Sequence, residues 1–226
     1  MTEVALFDMD GVFLEGDGTD PRVYRAAAHD ALREHGVRRV SDEHASILEE
    51  TEYRPAMDET CRELDIDRDE WWRTRESHAS RRANARIRSG DRPLYDDVEA
   101  ILELPDHLPT GLVSNNRHET AKFVADYCFP ERFDVAIGRK PTLADYRRKK
   151  PEPTFLERAL SSLSAESVDS GHYVGDRETD VIAARRVGLE SILLDRPHVN
   201  AAEVTAEPDH VVTSLREAVR IVEDGG

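Results

Sequence analysis

The chain has 226 residues, with 47 acidic against 31 basic side chains and a formal charge of −16 at pH 7. That balance disfavours broad binding to nucleic acid or to an anionic membrane surface, because both would repel it. Apolar residues make up 38% of the chain and recur in stretches along its whole length, which excludes a solvating tail and allows a core domain with an insertion.

Only Lys122, Lys140, Lys149 and Lys150 among the basic residues are lysines. Together with the acidic excess, this reads as a surface suited to concentrated salt, where screening shortens the reach of self-repulsion. Cys61 and Cys128 are too few and too far apart for a disulfide framework or a zinc site, which fits a reduced compartment. The N-terminus shows no basic flank followed by an apolar signal core, and no stretch approaches the ~18 consecutive apolar residues of a membrane helix. The expectation is a soluble cytoplasmic protein.

In chain order, Val4–Phe7 reads as a buried first strand. Residues 20–90 contain no convincing strand and read as helices near Arg22–His35, Asp42–Thr51, Met57–Leu64 and Arg68–Arg88. Ser41 and Asp67 are candidate N-caps. From about residue 94, helix-like and apolar segments alternate: Asp96–Leu104 before GLVS, Arg117–Tyr127 before DVAIG, Thr154–Leu163 before HYVGD, and Glu178–Val187 before ESILLD. His210–Val212 and Ser214–Val222 supply a last strand and helix. This alternation predicts an α/β fold, a Rossmann-like parallel sheet with helices on both faces, plus an inserted all-helical cap domain. The predicted division is a core of residues 1–16 and 91–226 and a cap of residues 17–90.

In an open parallel sheet, ligands bind beyond the carboxyl ends of the strands. The first strand ends in Asp8, Asp10 and Gly11, the GLVS strand in Ser114, and the HYVGD strand in Gly175 and Asp176, with Asp180 one helical turn further. Oxygen ligands without a Cys or His cluster favour a hard cation such as Mg²⁺, which takes one or two carboxylates and shares phosphate oxygens. A carboxylate beside metal and phosphate is a competent nucleophile, and a second carboxylate two residues on can act as acid and base. The segment RRKKPEP supplies a cation, with Lys150 biased toward an extended conformation by Pro151.

These residues resemble the haloacid dehalogenase superfamily in its phosphatase branch: DMDGV, an apolar strand ending in Ser114, Lys150 in KKPEP, and GDRETD appear in the family's order. The resemblance implies Asp8 as nucleophile, Asp10 as acid and base, and Ser114, Asn115 and Lys150 as ligands of the substrate phosphate. It further implies Asp8, Asp176 and the backbone carbonyl of Asp10 around Mg²⁺, with Asp180 in support. The helical insert matches the cap that one large subgroup places between the first two motifs. The segment EGDGTDP departs from the Asp-Ser signature common after the first motif.

The function expected is therefore a Mg²⁺-dependent phosphatase hydrolysing a small phosphorylated metabolite, a phosphoric monoester hydrolase. A phosphomutase of the β-phosphoglucomutase type shares these residues, and a non-enzymatic receiver-like phospho-acceptor is a rival from another class. The order of the acidic motifs and the long insert argue against the receiver, and a dehalogenase would lack Asp10. No Gly-x-Gly-x-x-Gly follows the first strand to suggest a nucleotide-dependent oxidoreductase. Oligomeric state stays open. In the insert, Arg54, Arg75, Arg81, Arg82, Arg86 and Arg88 read as a solvated face, Trp71 and Trp72 as including at least one core residue, and the nine histidines as lacking ligand spacing.

Overall fold

Val4, Ala5, Leu6 and Phe7 are all fully buried, as a strand covered on both faces must be. They lie in β1 (Thr2–Phe7). The computed structural model describes residues 2–163, 168–199 and 204–224. β1 pairs in parallel with β2 (Thr110–Arg117) on one side and with β4 (Val168–Gly175) on the other. The six-stranded sheet has the order β3-β2-β1-β4-β5-β6 and is parallel throughout. Its remaining strands are β3 (Val135–Arg139), β5 (Glu190–Leu194) and β6 (His210–Val212). The direction of winding reverses beside β1, so the crevice at its carboxyl end is the place for a ligand.

Side chains alternate between the two faces of the sheet. On one face Ala5, Phe7, Leu112 and Val174 join a core with α5 (His118–Cys128) and α9 (Leu215–Asp224). On the other, Val4, Leu6, Val113 and Tyr173 meet Phe155 and Leu156 of α7 (Thr154–Ser162) and Ala183 and Ala184 of α8 (Glu178–Arg186).

Between β1 and β2 the chain forms α1 (Pro21–Glu34), α2 (Asp42–Leu48), α3 (Ala56–Glu63) and α4 (Arg68–Ser89). Their starts follow the sequence signals: Ser41 accepts from the His44 amide and Asp67 from the Glu70 amide, each satisfying a donor that the helix cannot. Both Trp71 and Trp72 are buried, in a separate core with Leu48, Met57 and Cys61. An inserted helical cap with its own core thus sits on an α/β domain.

Two local differences have clear causes. The segment expected as a helix over Asp96–Leu104 is a 3-10 helix over Val98–Glu103. Pro105 holds Leu104 extended, and the buried pair Val98 and Ile101 suits three residues per turn. A four-residue helix, α6 (Leu143–Tyr146), follows β3 unanticipated; Thr142 caps it through the Asp145 amide, and Leu143 joins the tryptophan core of the insert.

Candidate active site

Asp8 follows the last residue of β1, and its amide donates to the Val174 carbonyl at 2.8 Å. Gly11 then turns the chain at φ 78°, a conformation that costs other residues. A Cβ at this glycine would lie 2.1 Å from Asp176 Oδ2. Glycine is required here so that the first loop can close on the carboxylate at the end of β4. At the next strand the same logic recurs: a Cβ at Gly175 would stand 2.5 Å from Asp180 Cγ.

Asp8, Asp176 and Asp180 each offer an oxygen within 4.8 Å of the others, although they come from two strand ends and a helix start. Lys150, only 4% exposed, stands among them. Its ammonium lies 2.7 Å from Asp180 Oδ1 and 3.1 Å from Asp8 Oδ1, and it donates to the Tyr173 hydroxyl at 2.5 Å. The second oxygen of Asp180 accepts the Arg177 amide at 3.0 Å, so both oxygens of this carboxylate are engaged. Asp176 Oδ2 meets His198 Nε2 at 2.8 Å, while among the described residues its Oδ1 is buried without a hydrogen-bond partner.

Burial raises Asp8 to about 6 against the pull of Lys150, with repulsion from Asp180 and Asp10 adding to it. Burial also raises Asp176 to about 8, reinforced by Asp180 and Asp8. For Lys150, burial acts downward, but the two carboxylates outweigh it and hold its pKa above the ordinary value. The cluster therefore has more carboxylate than one ammonium neutralises. A divalent cation fits this donor set: only oxygens are offered, and among the described residues Asp176 Oδ1 accepts no hydrogen bond, with the Arg177 guanidinium no nearer than 3.8 Å.

Asp10 lies beside this cluster, held by Asn116 Nδ2 at 2.8 Å on one oxygen and by Arg92 Nη2 at 2.7 Å on the other. Ser114, 1% exposed, accepts the Asn116 amide at 3.2 Å, where the register between β2 and β3 shifts. Asn115, beside Ser114, lines the cavity over these groups as well. Its side-chain oxygen accepts the Lys150 amide at 2.7 Å and its nitrogen donates to the Lys150 carbonyl at 3.2 Å, so the side chain fixes the lysine's backbone.

A cavity of about 340 Å³ opens over these groups, lined by Asp8, Asp10, Ser114, Asn116, Lys150 and Asp180 and walled by Thr19, Tyr24, Glu52, Arg139, Tyr146 and Lys149. EGDGTDP, the departing segment, supplies Asp17, Gly18 and Thr19 to that wall. Sequence reasoning missed Arg92, Asn116, His198 and Arg139. It also placed Arg75 on a solvated face, whereas Arg75 is fully buried. Its guanidinium lies 4.9 Å from the Trp72 ring and 3.0 Å from Glu76 Oε1, because stacking on aromatic faces and an adjacent carboxylate replace its water.

The family model for haloacid dehalogenase-like hydrolases matches residues 2–188, and the chain belongs to that family. Over 79 residues it is 32% identical to the D-glycero-D-manno-heptose-1,7-bisphosphate 7-phosphatase of Chlorobaculum tepidum. That match covers 31% of this chain and 39% of that protein, so it spans well under half of the relative. Among solved structures, CbbY from Rhodobacter sphaeroides in complex with phosphate superposes with a TM-score of 0.63 at 20% identity, over 96% of each chain. A subfamily IA hydrolase of the same superfamily from Geobacter sulfurreducens does so at 0.56 and 16%, over 98% of this chain and all of that one. These structural likenesses bear on the fold. The expected enzyme class, phosphoric monoester hydrolase, agrees with the family and with the phosphatase relative. Among the described residues no helix is long and apolar enough to cross a membrane.

Proposed function

We propose that the protein is a Mg²⁺-dependent phosphatase that hydrolyses a small phosphorylated metabolite through an aspartyl-phosphate on Asp8. The observation that carries this reading is the meeting of Asp8, Lys150 and Asp180 on the floor of one cavity, with Asp10 beside them and an oxygen of Asp176 within 4.8 Å of oxygens of Asp8 and Asp180. Asp8 and Asp176 would hold the metal with the Asp10 carbonyl, and Asp180 would support it. When bound, the ion neutralises the carboxylates and the charge spread over the transferring phosphoryl oxygens.

An Asp8 oxygen attacks phosphorus in line as the bond to the leaving alcohol breaks, and Asp10 gives the departing oxygen its proton. In the second half, Asp10 takes a proton from water, which attacks phosphorus, frees Asp8 and yields inorganic phosphate. Lys150 and Ser114 bind phosphoryl oxygens, and Asn115 keeps Lys150 in place. Arg92 and Asn116 orient Asp10. Residues 17–90 act as the cap, whose face toward the site carries Tyr24 and Glu52.

A phosphorylated sugar heads the substrate classes to assay. The Chlorobaculum relative is named for a heptose bisphosphate, and a CbbY variant was solved with xylulose-1,5-bisphosphate. The test is a panel of phosphorylated metabolites with Mg²⁺ in high salt, run on the native enzyme and on Asp8→Asn. Turnover confined to the native enzyme supports the reading, and undiminished turnover in the variant ends it. A bisphosphorylated sugar intermediate during turnover would instead mark a phosphomutase. The acidic, arginine-rich composition supports a cytoplasmic protein adapted to concentrated salt. Its melting temperature should rise from dilute to molar KCl, and a flat profile would remove that part of the proposal.

A further inference from the structure

Glu3, His172, Glu190 and His210 lie on four adjacent strands, β1, β4, β5 and β6, away from the catalytic cavity at the carboxyl ends. Their register puts them on one face: Ala5 pairs with His172, His172 with Glu190, and Ile192, two residues beyond Glu190, with His210. His210 Nε2 stands 3.3 Å and His172 Nε2 3.7 Å from Glu190 Oε2, and one ligand atom from each residue lies within 4.8 Å of the others. A tetrahedral zinc ion with bonds of about 2.0–2.2 Å holds its ligand atoms about 3.3–3.6 Å apart. The side chains are already at nearly that spacing.

A second observation is independent of the spacing. His172 is only 5% exposed, and its Nδ1 is buried without a hydrogen-bond partner among the described residues. Glu3 Oε1 is likewise buried and without a hydrogen-bond partner among the described residues, 3.9 Å from that nitrogen. As a simple ion-pair network the arrangement leaves a donor and an acceptor unmatched in the interior, which is costly. Metal on Nε2 would place the ring proton on Nδ1, on the side of Glu3, and a Glu3 carboxylate drawn in from 3.9 Å to hydrogen-bond distance would complete the carboxylate-behind-imidazole pattern that orients ligating histidines. Glu190 and His210 are 61% and 38% exposed in their side chains, which leaves a way in for the ion and an open position for water.

We propose that His172, Glu190 and His210 form a second metal site, selective for Zn²⁺ over Mg²⁺, that ties the short edge strand β6 to β5 and β4. Two imidazoles with one carboxylate suit a borderline ion, whereas the all-carboxylate cluster at the cavity suits a hard one. The role is structural, since no residue of the cavity takes part.

The experiment titrates the full chain with Zn²⁺, and with Co²⁺ as a spectroscopic stand-in, in the presence of excess Mg²⁺ to saturate the carboxylate cluster. Expected are one tightly bound equivalent, a tetrahedral Co²⁺ absorption band and a rise in melting temperature with Zn²⁺. All three should vanish in His210→Ala, whose partly exposed position makes folding secure, and persist in Asp176→Asn. Glu3→Gln should weaken Zn²⁺ binding roughly 10–100-fold. Absence of binding in the native chain, undiminished binding in His210→Ala, or loss confined to Asp176→Asn would each overturn the proposal.

Discussion

The ammonium of Lys150 and the carboxylate of Asp180 form a 2.7 Å ion pair whose side chains are 1% and 2% exposed. Removing one partner of such a pair strands the other, at a cost of about 3–5 kcal/mol. Lys150→Met should therefore lower stability by about that amount, and turnover by more than about 100-fold, since a charge aimed at the transferring phosphoryl is lost. Adding Asp180→Asn should recover part of the stability and none of the activity. Urea unfolding and steady-state rates on the single and double variants check both halves.

The two raised carboxylates give the metal-free protein a defined pH response. Asp176, at about 8, and Asp8, at about 6, both lie above their ordinary value of 3.8. The fold then keeps protons that the unfolded chain has released, so these groups subtract stability as pH rises from about 4 to about 8. A divalent ion displaces those protons, and its benefit grows across the same interval. The melting-temperature gap between Mg²⁺ and EDTA should widen from about pH 5 to about pH 8. A constant or narrowing gap would count against the metal assignment.

At Gly11 the constraint is steric. A methyl group would collide with Asp176 Oδ2 at 2.1 Å and would sit on a residue at φ 78°. Gly11→Ala should cost on the order of 1–3 kcal/mol from backbone strain alone, and should reduce metal affinity by displacing Asp176. A Gly90→Ala control has the same kind of φ, 81°, but nothing within 4 Å of its Cβ. It should lose stability without loss of Mg²⁺ affinity, as read by metal-dependent activity.

The carboxylates of the candidate site were legible because a parallel sheet gathers its strand ends. A motif that ends an apolar run is thereby placed at the crevice, whatever its distance along the chain. Arg92 was not legible, because its place depends on how the loops run. The Glu15 amide bonds to the Pro93 carbonyl and the Tyr95 amide to the Phe13 carbonyl, both at 3.0 Å, which lays Arg92 beside Asp10. Asn115 was placed at the cavity by its position after Ser114, but the bonds of its side chain to the Lys150 backbone depend on the course of the Lys150 loop. Arg75 read as solvated because a charge pattern carries no record of aromatic faces waiting to cover it. His172 and His210 showed no ligand spacing, since strand register brings them together.

That buried arginine sets up the last prediction. Arg75, Arg117 and Arg139 are 0%, 2% and 5% exposed, and Glu76, 1% exposed, is the carboxylate among them. Glu76 accepts from Arg139 at 2.6 Å, which joins cap helix α4 to core strand β3, and from Arg75 at 3.0 Å. Burial alone would raise the pKa of Glu76, but Arg139, Arg75 and Arg117 together hold it below the ordinary value of 4.5. A depressed carboxylate contributes stability that is present above its unfolded pKa and is lost as pH falls through the folded one. Glu76→Gln leaves three guanidinium groups with no interior anion and should cost about 3–5 kcal/mol at neutral pH. The difference from the native protein should shrink as pH falls from the ordinary value of 4.5 through the lower folded-state value, across which the native side chain also becomes protonated. Denaturation at neutral and acid pH measures both values, and a loss that stays constant across that range would mean the carboxylate serves only to fill space.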